Sequence, residues 1–177
     1  MLAWTQTIIS ALTLLIVGAS ATLALLQIRK TQDWNRRKAS QDLLLQVVTG
    51  ELVGLRQQLE IKYDAEFYKM SVSDCSSLLQ RLSSDDRREF AFVMKRLFNY
   101  LEAIAIGIKN NVFEEDICYE HLSIVATRYW KWAKPFVDEV RAVSPTIWIE
   151  IEYFAHRWNA RLEDDLRVLR REGKPRI

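Results

Sequence analysis

The stretch TIISALTLLIVGASATLALLQI, residues 7–28, contains no charged side chain and is followed at once by the basic segment RKTQDWNRRK. An α-helix rises about 1.5 Å per residue and the apolar core of a bilayer is roughly 30 Å thick, so about 20 apolar residues are enough to cross it. The small hydroxyls in the stretch can donate to carbonyls of their own helix, which makes them acceptable in lipid. The stretch therefore predicts a single transmembrane helix.

Basic residues next to this stretch predict its orientation, because Lys and Arg near a membrane-spanning segment are retained on the cytoplasmic side. The N-terminal flank MLAWTQ has none, whereas five follow the stretch: Arg29, Lys30, Arg36, Arg37 and Lys38. We expect the N-terminus outside and the remainder in the cytoplasm. This basic cluster is an orientation signal, or it holds anionic lipid head groups in addition. A cleaved signal peptide is disfavoured, because the flank lacks a basic start and the apolar run continues past Ala21.

Chain length sets the domain organisation. The chain has 177 residues and a net charge of +2, and the part after the anchor has the size of one ordinary domain. We predict the flank and anchor at residues 1–28, a basic juxtamembrane segment at 29–39, a helical bundle domain at 40–172 and a tail at 173–177. The balanced charge argues against duplex nucleic acid as a partner.

Helical periodicity dominates the predicted bundle. Apolar residues recur at steps of three and four from Leu44 to Leu59, from Phe90 to Ile108 and from Cys118 to Val140. A last run, from Ile147 to Leu169, is expected to face inward, including Leu162, Leu166 and Leu169. No stretch alternates with the period of a strand. The sequence therefore predicts an all-α fold, in which the Phe90–Ile108 helix is central.

Local signals predict where these helices begin and end. Ser73 or Asp74 is expected to cap a short helix that runs through Leu82, and Ser84 the central helix. Asn110-Asn111 tolerates the left-handed conformation that ends a helix. Pro135 must bend or break the helix that contains it, and Ser144-Pro145 is typical of the start of the last helix.

Residues with catalytic or metal-binding potential are few. His121 and His156 have no second ligand at helical spacing, and the glycines form no phosphate-binding loop. Cys75 and Cys118 are expected to be free, buried thiols. We therefore expect no enzyme activity, no metal and no cofactor.

Glu102 lies at the margin of the central helix's apolar face, one turn after Asn99. A buried carboxylate needs a partner, because an unpaired charge in the interior is costly. One interpretation is a structural pair with an arginine, and Asn99, Glu102 and Arg141 form the candidate buried polar group. The other interpretation is a polar pocket between helices. The sequence leaves both open.

The order of motifs NYLEAIAIGI, KPFVDEVR and FAHRW, after an anchor and a basic segment, resembles a bacterial family of small membrane-anchored helical proteins catalogued as a domain of unknown function. The family brings no established activity. The resemblance implies a bacterial inner-membrane location. It also implies that five residues match landmark positions of the family: Asn99, Glu102, Gly107, Arg141 and Trp158.

A second resemblance is architectural. Small membrane effectors of type III CRISPR defence likewise combine an N-terminal membrane segment with a cytoplasmic helical domain that oligomerises and binds a cyclic oligoadenylate. A phosphate-bearing nucleotide needs basic groups and aromatic or guanidinium planes. The candidate ligand-binding or interface residues are Arg128, Trp130, Lys131, Lys134, Arg157 and Arg161. Trp130 is expected to be exposed, while Tyr129 and Trp132 are expected in the core.

Two functions follow from these observations. The first is a membrane-anchored helical module that self-associates, as a homo-oligomer in the lipid bilayer, and mediates interaction at the cytoplasmic face. The second is a ligand-gated membrane effector whose cytoplasmic domain binds a cyclic oligonucleotide.

Overall fold

The computed structural model describes residues 2–63 and 71–171. Its helices are α1 (Leu2–Thr49), α2 (Glu51–Tyr63), α3 (Val72–Arg81), α4 (Ser84–Lys109), α5 (Glu115–Trp132), α6 (Lys134–Val143) and α7 (Ile149–Arg171). No strand occurs in the described ranges, and the all-α prediction is confirmed. The chain divides into two compact units, Met1–Lys38 and Ala39–Ile177.

The first unit is the N-terminal part of α1. Its large apolar side chains from Leu14 to Ile28 are between 50 and 74 % exposed. By length and composition, this helix can cross a membrane. The hydroxyl of Thr22 donates to the carbonyl of Gly18 at 2.8 Å, which is the internal bond expected of a small hydroxyl in an apolar helix.

The second unit is a bundle built around α4. Helix α2 packs on α4, α7 packs on α4 and α5, and α3 packs on α5 and α6. The face of α4 from Phe90 to Ile108 is buried, as predicted. The ring of Phe90 meets the edges of three other rings at centroid distances of 5.1 to 6.0 Å: Tyr63, Trp132 and Phe136.

Helix α4 begins one residue away from the predicted cap. The Oγ of Ser83, not Ser84, accepts the backbone N–H of Asp86 at 3.2 Å. The prediction of Ser84 was wrong, because Ser83 has the extended backbone of an N-cap, with a ψ of 165°, and Ser84 is already the first residue of the helix. In the same way Ser71, rather than Ser73 or Asp74, precedes α3, and its N–H donates to the Asp74 carboxylate at 2.8 Å.

The end of α4 confirms the expected role of the Asn-Asn pair. Asn111 has a φ of 56°, in the left-handed region. The N–H of Val112 donates to the carbonyl of Gly107 at 2.8 Å and that of Asn111 to Ile108 at 3.0 Å, which is the bond pattern of a Schellman motif. The ring of Phe113 then folds back onto Gly107, so closely that a Cβ at Gly107 would lie 2.4 Å from two ring carbons.

Two interruptions of helices are also present, of which only the one at Pro135 was predicted. Helix α1 ends at Thr49 and α2 begins at Glu51, with a bend at Gly50. A Cβ at Gly50 would lie 2.5 Å from the carbonyl oxygen of Gln46, so only glycine fits this bend. Pro135 separates α5 from α6, where it occupies the first turn of the new helix and needs no hydrogen-bond partner.

Helix α7 differs from its prediction at both ends. It begins at Ile149, four residues after the expected Pro145, because the chain makes turns from residue 145 to 148. Towards the other end, Leu166 is 46 % exposed, whereas Leu162 and Leu169 are partly buried. The inward placement of Leu166 was wrong, because the side chains that α7 buries end at Trp158. Residues 64–70, in the predicted connection before α3, lie outside the described residues.

Candidate functional site

The connection between α6 and α7 holds the least usual backbone of the bundle. Trp148 has a φ of 60°, which is costly for a bulky residue. Its side chain is only 2 % exposed and packs on Phe98, with ring centroids 5.0 Å apart. Its indole N–H donates to Oδ1 of Asn99 at 2.8 Å. Packing and this hydrogen bond together stabilise the strained residue.

Arg141 binds the same connection from the last turn of α6. Its guanidinium donates to the carbonyl of Ile147 at 2.9 and 3.0 Å and to that of Trp148 at 3.1 Å. A further N–H donates to the Glu152 carboxylate at 2.6 Å. The guanidinium also lies 5.3 Å from the ring centroid of Trp130. One side chain thus binds two carbonyls of the turn before α7, and its charge is balanced by Glu152.

Glu102 binds the first turn of α7. Its two carboxylate oxygens accept the backbone N–H groups of Glu150 at 3.2 Å and of Ile151 at 2.7 Å. Free N–H groups at a helix start need acceptors and favour negative charge. Glu102 therefore caps α7 from a neighbouring helix.

The candidate buried polar group is thus assembled, but not in the predicted way. Asn99, Glu102 and Arg141 all bind the segment from residue 147 to 151. Glu102 is half-buried and binds backbone N–H groups rather than an arginine, while Asn99 is exposed and Arg141 half-buried. Each of these three side chains has protein partners. We refer to Asn99, Glu102, Arg141 and Trp148 together as the clasp.

The candidate ligand-binding residues do not form one surface. Arg157 pairs with Glu115 at 3.1 Å and Arg161 with Asp116 at 2.7 Å, both at the start of α5. Arg128, Lys131 and Lys134 lie at its other end, which at about 1.5 Å per residue is on the order of 20 Å away. Arg128 and Lys131 are exposed, and Lys134 pairs with Asp138 at 2.6 Å.

Trp130 was expected on the surface, and this prediction was wrong. It is 4 % exposed and packs edge-on against Phe98, with centroids 5.6 Å apart. The helix turns Trp130 towards Arg141 and α4, so three aromatic residues of this segment are buried, including Tyr129 and Trp132 as predicted. Because its tryptophan is buried and its cations are divided, no nucleotide site is proposed here.

A cleft of about 510 Å³ opens beside the clasp, where α7 meets the end of α4 and the start of α5. Its lining includes Tyr153, 56 % exposed, together with Lys109, Glu150, Glu115 and Arg157. The two cations in this lining are neutralised, because Lys109 pairs with Glu150 and Arg157 with Glu115. The cleft has no net charge from these four groups to attract an anion.

Polar contacts continue along α5 and α7. The hydroxyl of Tyr119 donates to Asp165 at 2.6 Å, and the Arg161 guanidinium lies 3.9 Å from the Tyr119 ring centroid. Burial, followed by this hydrogen bond, raises the pKa of Tyr119 to about 12. The indole of Trp158 donates to Glu115 at 3.2 Å. These contacts hold α7 on α5.

Reactive side chains are either buried or isolated. Cys75 and Cys118 are free and fully buried, as predicted, and burial raises the pKa of each thiol to about 11. His121 and His156 are exposed on α5 and α7. Across residues 2–63 and 71–171, no three of the His, Cys, Asp and Glu side chains are placed to hold a metal ion.

Sequence reasoning missed one residue of the clasp, Trp148, and two polar residues outside it. No local sequence signal predicts the conformation of Trp148, since it depends on Asn99 and Arg141, which lie 49 and 7 positions before it. Glu152 lies 11 positions after Arg141 and joins it only because the chain turns between them. Ser40 was also missed: it is fully buried and accepts the N–H of Glu114 at 2.7 Å, at the start of α5. No sequence signal marked it, because Ser40 stands among the polar residues Lys38, Gln41 and Asp42.

The basic cluster lies in the first unit. Arg29, Lys30, Arg37 and Lys38 are exposed and Arg36 is half-buried, 3.6 Å from Asp33. Trp34, in the middle of the cluster, is 68 % exposed.

Fold and site together define an all-helical protein with an apolar N-terminal helix and a bundle clasped at the start of its last helix. Residues 14–158 match the family described as a domain of unknown function (DUF4760), and the chain belongs to this family. No curated protein and no solved structure matches it.

Proposed function

We propose that this chain is a single-pass membrane protein that presents its helical bundle at the cytoplasmic face. The observation that supports it most is the exposure of apolar side chains at the four consecutive positions from Leu14 to Val17, each at least 60 % exposed. Four consecutive residues of a helix point to all of its sides. A helix that is apolar all round is found inside a protein core or in lipid.

The free energy of burial favours lipid. Moving one large aliphatic side chain out of water is worth about 1.5–3 kcal/mol. Eight such residues lie exposed on this part of α1: Leu14, Leu15, Ile16, Val17, Leu23, Leu25, Leu26 and Ile28. Their combined transfer, roughly 12–24 kcal/mol, is as large as the whole stability of an ordinary domain, about 5–15 kcal/mol. The basic residues after Ile28 supply the orientation.

The experiment combines extraction with cysteine labelling. The full chain is expected to stay with membranes at alkaline pH. Thr5→Cys, ahead of the apolar stretch, should react with an impermeant maleimide in intact cells. Thr146→Cys, exposed in the α6–α7 connection, should react only after permeabilisation. The native thiols give a low background, because they are buried and burial raises their pKa. Alkaline release would reject the anchor, and the reverse labelling pattern would reject the topology.

We also propose that the protein self-associates through the last part of α7. Leu166 and Val168 are 46 and 52 % exposed there. Three acidic residues at 163–165 are followed by basic residues at 167, 170 and 171. When two copies of this segment pair antiparallel, the acidic block of one faces the basic block of the other, which favours pairing.

Native mass spectrometry of the full chain in detergent tests this surface. Leu166→Asp should convert an oligomer into a monomer. Ile124→Asp is the matched control, because Ile124 is 48 % exposed on α5 and lies outside the segment. A wild-type monomer would reject self-association itself. An oligomer that withstands Leu166→Asp would place the contact elsewhere.

A further inference from the structure

We propose that the basic cluster recruits anionic phospholipid around the end of the membrane helix, with Trp34 at the level of the head groups. This inference names the lipid class and rests on the proposed membrane anchor. Its evidence is the way in which the charges and the tryptophan are arranged around α1.

One face of α1 carries both the charge and the aromatic ring. Lys30, Trp34, Arg37 and Lys38 have the spacing i, i+4, i+7, i+8, which places them on the same side of a helix. Arg29 and Arg36 lie on the adjacent strip. The remaining side is polar without charge, with Thr31, Gln32 and Asn35. Orientation requires only an excess of Lys and Arg beside the membrane-spanning segment. It does not require that these residues share one face of the helix.

The reach of these side chains suits the head-group layer. The layer is about 7 Å deep on each side of the apolar core, and the helix rises about 1.5 Å per residue, so Arg29 and Lys30 lie within it. Lys38 lies roughly 15 Å beyond Ile28 along the axis. Side chains of a helix tilt towards its N-terminus, so Arg37 and Lys38 extend back towards the bilayer. The backbone of Trp34 lies about 9 Å beyond Ile28, and its ring tilts back towards the layer, a position that an amphipathic ring favours.

The charges are available to a lipid. Arg29, Lys30, Arg37 and Lys38 are exposed, and no carboxylate among residues 2–63 and 71–171 pairs with them. Asp33 is the one acid of the segment, and it lies beside Arg36 at 3.6 Å. Each basic residue near the surface raises the preference for anionic lipid by about fivefold before screening by salt. Several unpaired charges on one face therefore favour phosphatidylglycerol-type head groups over zwitterionic ones.

Fluorescence quenching in vesicles tests this proposal with the full chain. The chain, with Trp4→Phe to remove the aromatic residue of the other flank, is reconstituted in phosphatidylcholine vesicles. Two vesicle preparations are compared, one with a small fraction of brominated phosphatidylglycerol and one with the same fraction of brominated phosphatidylcholine. The anionic lipid should quench several-fold more strongly, and high salt should reduce the difference. Trp34→Phe should remove most of the lipid-specific quenching.

Two triple variants separate the face from total charge. Lys30→Gln with Arg37→Gln and Lys38→Gln should bring the two lipids to equal quenching. The matched control neutralises three exposed basic residues of the bundle, Arg81, Lys95 and Lys131, and should keep the preference. Equal quenching in the wild type, or equal loss in both triple variants, would overturn the proposal. Alkaline extraction of the same vesicles reports the anchor separately, so its failure and the failure of lipid recruitment are distinguishable.

Discussion

Glu102 accepts the backbone N–H of Ile151 at 2.7 Å, so a side chain of α4 caps a helix that begins 47 residues later in the chain. The second oxygen accepts the N–H of Glu150 at 3.2 Å. Most helices are capped by the residue that precedes them. Here Trp148 precedes α7, and its side chain is committed to the core. The cap is therefore a tertiary contact, and α7 depends on α4 for its start.

Removing this cap is expected to destabilise the bundle. Glu102→Ala leaves two N–H groups without an acceptor, which costs about 1–3 kcal/mol. Glu102→Gln keeps one acceptor and should lose about half as much. The measurement is urea unfolding of the full chain in micelles, followed by circular dichroism. Glu120→Ala is the control, because Glu120 is exposed on α5 and lies far from the start of α7 in the chain. Equal stability of Glu102→Ala and the wild type would reject the cap.

The contact between Gly107 and Phe113 predicts opposite effects at two glycines. Gly107→Ala places a Cβ 2.4 Å from the Phe113 ring and should destabilise the bundle by about 1–3 kcal/mol. Gly54→Ala meets no atom within 4 Å inside α2 and should stabilise it by about 0.5–1 kcal/mol. Thermal unfolding of both variants measures the difference.

A double variant identifies the ring as the cause. Phe113→Ala on the Gly107→Ala background should cost less than Phe113→Ala alone, because the added methyl group then occupies space that the ring has left. Additive losses would show that Gly107 is needed for another reason.

Burial of Trp130 predicts a loss of stability rather than of association. Trp130→Ala removes a core side chain and its contacts with Phe98 and Arg141, which should cost about 3–5 kcal/mol. Trp34→Ala, at a residue that is 68 % exposed, should change the unfolding free energy by less than about 0.5 kcal/mol. Urea midpoints compare the two. A Trp130→Ala protein as stable as the wild type would place this side chain on the surface.

The two buried thiols predict a fall in stability at alkaline pH. Burial raises each pKa from 9.0 to about 11. As pH rises above 9, the thiols ionise in the unfolded state but stay protonated in the folded state. The unfolding free energy should therefore be flat below pH 9 and fall between pH 9 and 11, by about 1.4 kcal/mol per pH unit and thiol. Urea unfolding at pH 8 and pH 10 measures this slope. The Cys75→Ala/Cys118→Ala variant should lose it, and an unchanged slope would assign it to other groups.

Features that depend on neighbours in the chain were predictable. The apolar face of α4, the left-handed Asn111 and the break at Pro135 each follow from residues within one or two helical turns. The caps of α3 and α4 were missed by only one to three positions, because several serines and aspartates compete there.

Features that depend on distant residues were not predictable. Trp130 is buried because Phe98 and Arg141 lie over it, although the helical period alone would put it outside. The late start of α7 has the same origin, since the turn before it is stabilised by Asn99 and Arg141. The candidate ligand-binding residues do not share one surface, because Glu115 and Asp116 on α5 bind Arg157 and Arg161 on α7.

The cap from Glu102 also bears on the order in which the chain matures on the ribosome. Helix α7 is synthesised after the helices on which it packs, and its start needs an acceptor that was made 48 residues earlier. Until residues 150 and 151 emerge, the Glu102 carboxylate has only water to bind, and the rings that pack on Trp148 are uncovered. Completion of α7 thus closes this side of the nascent bundle, and a chain terminated before α7 would present an open apolar surface to proteases.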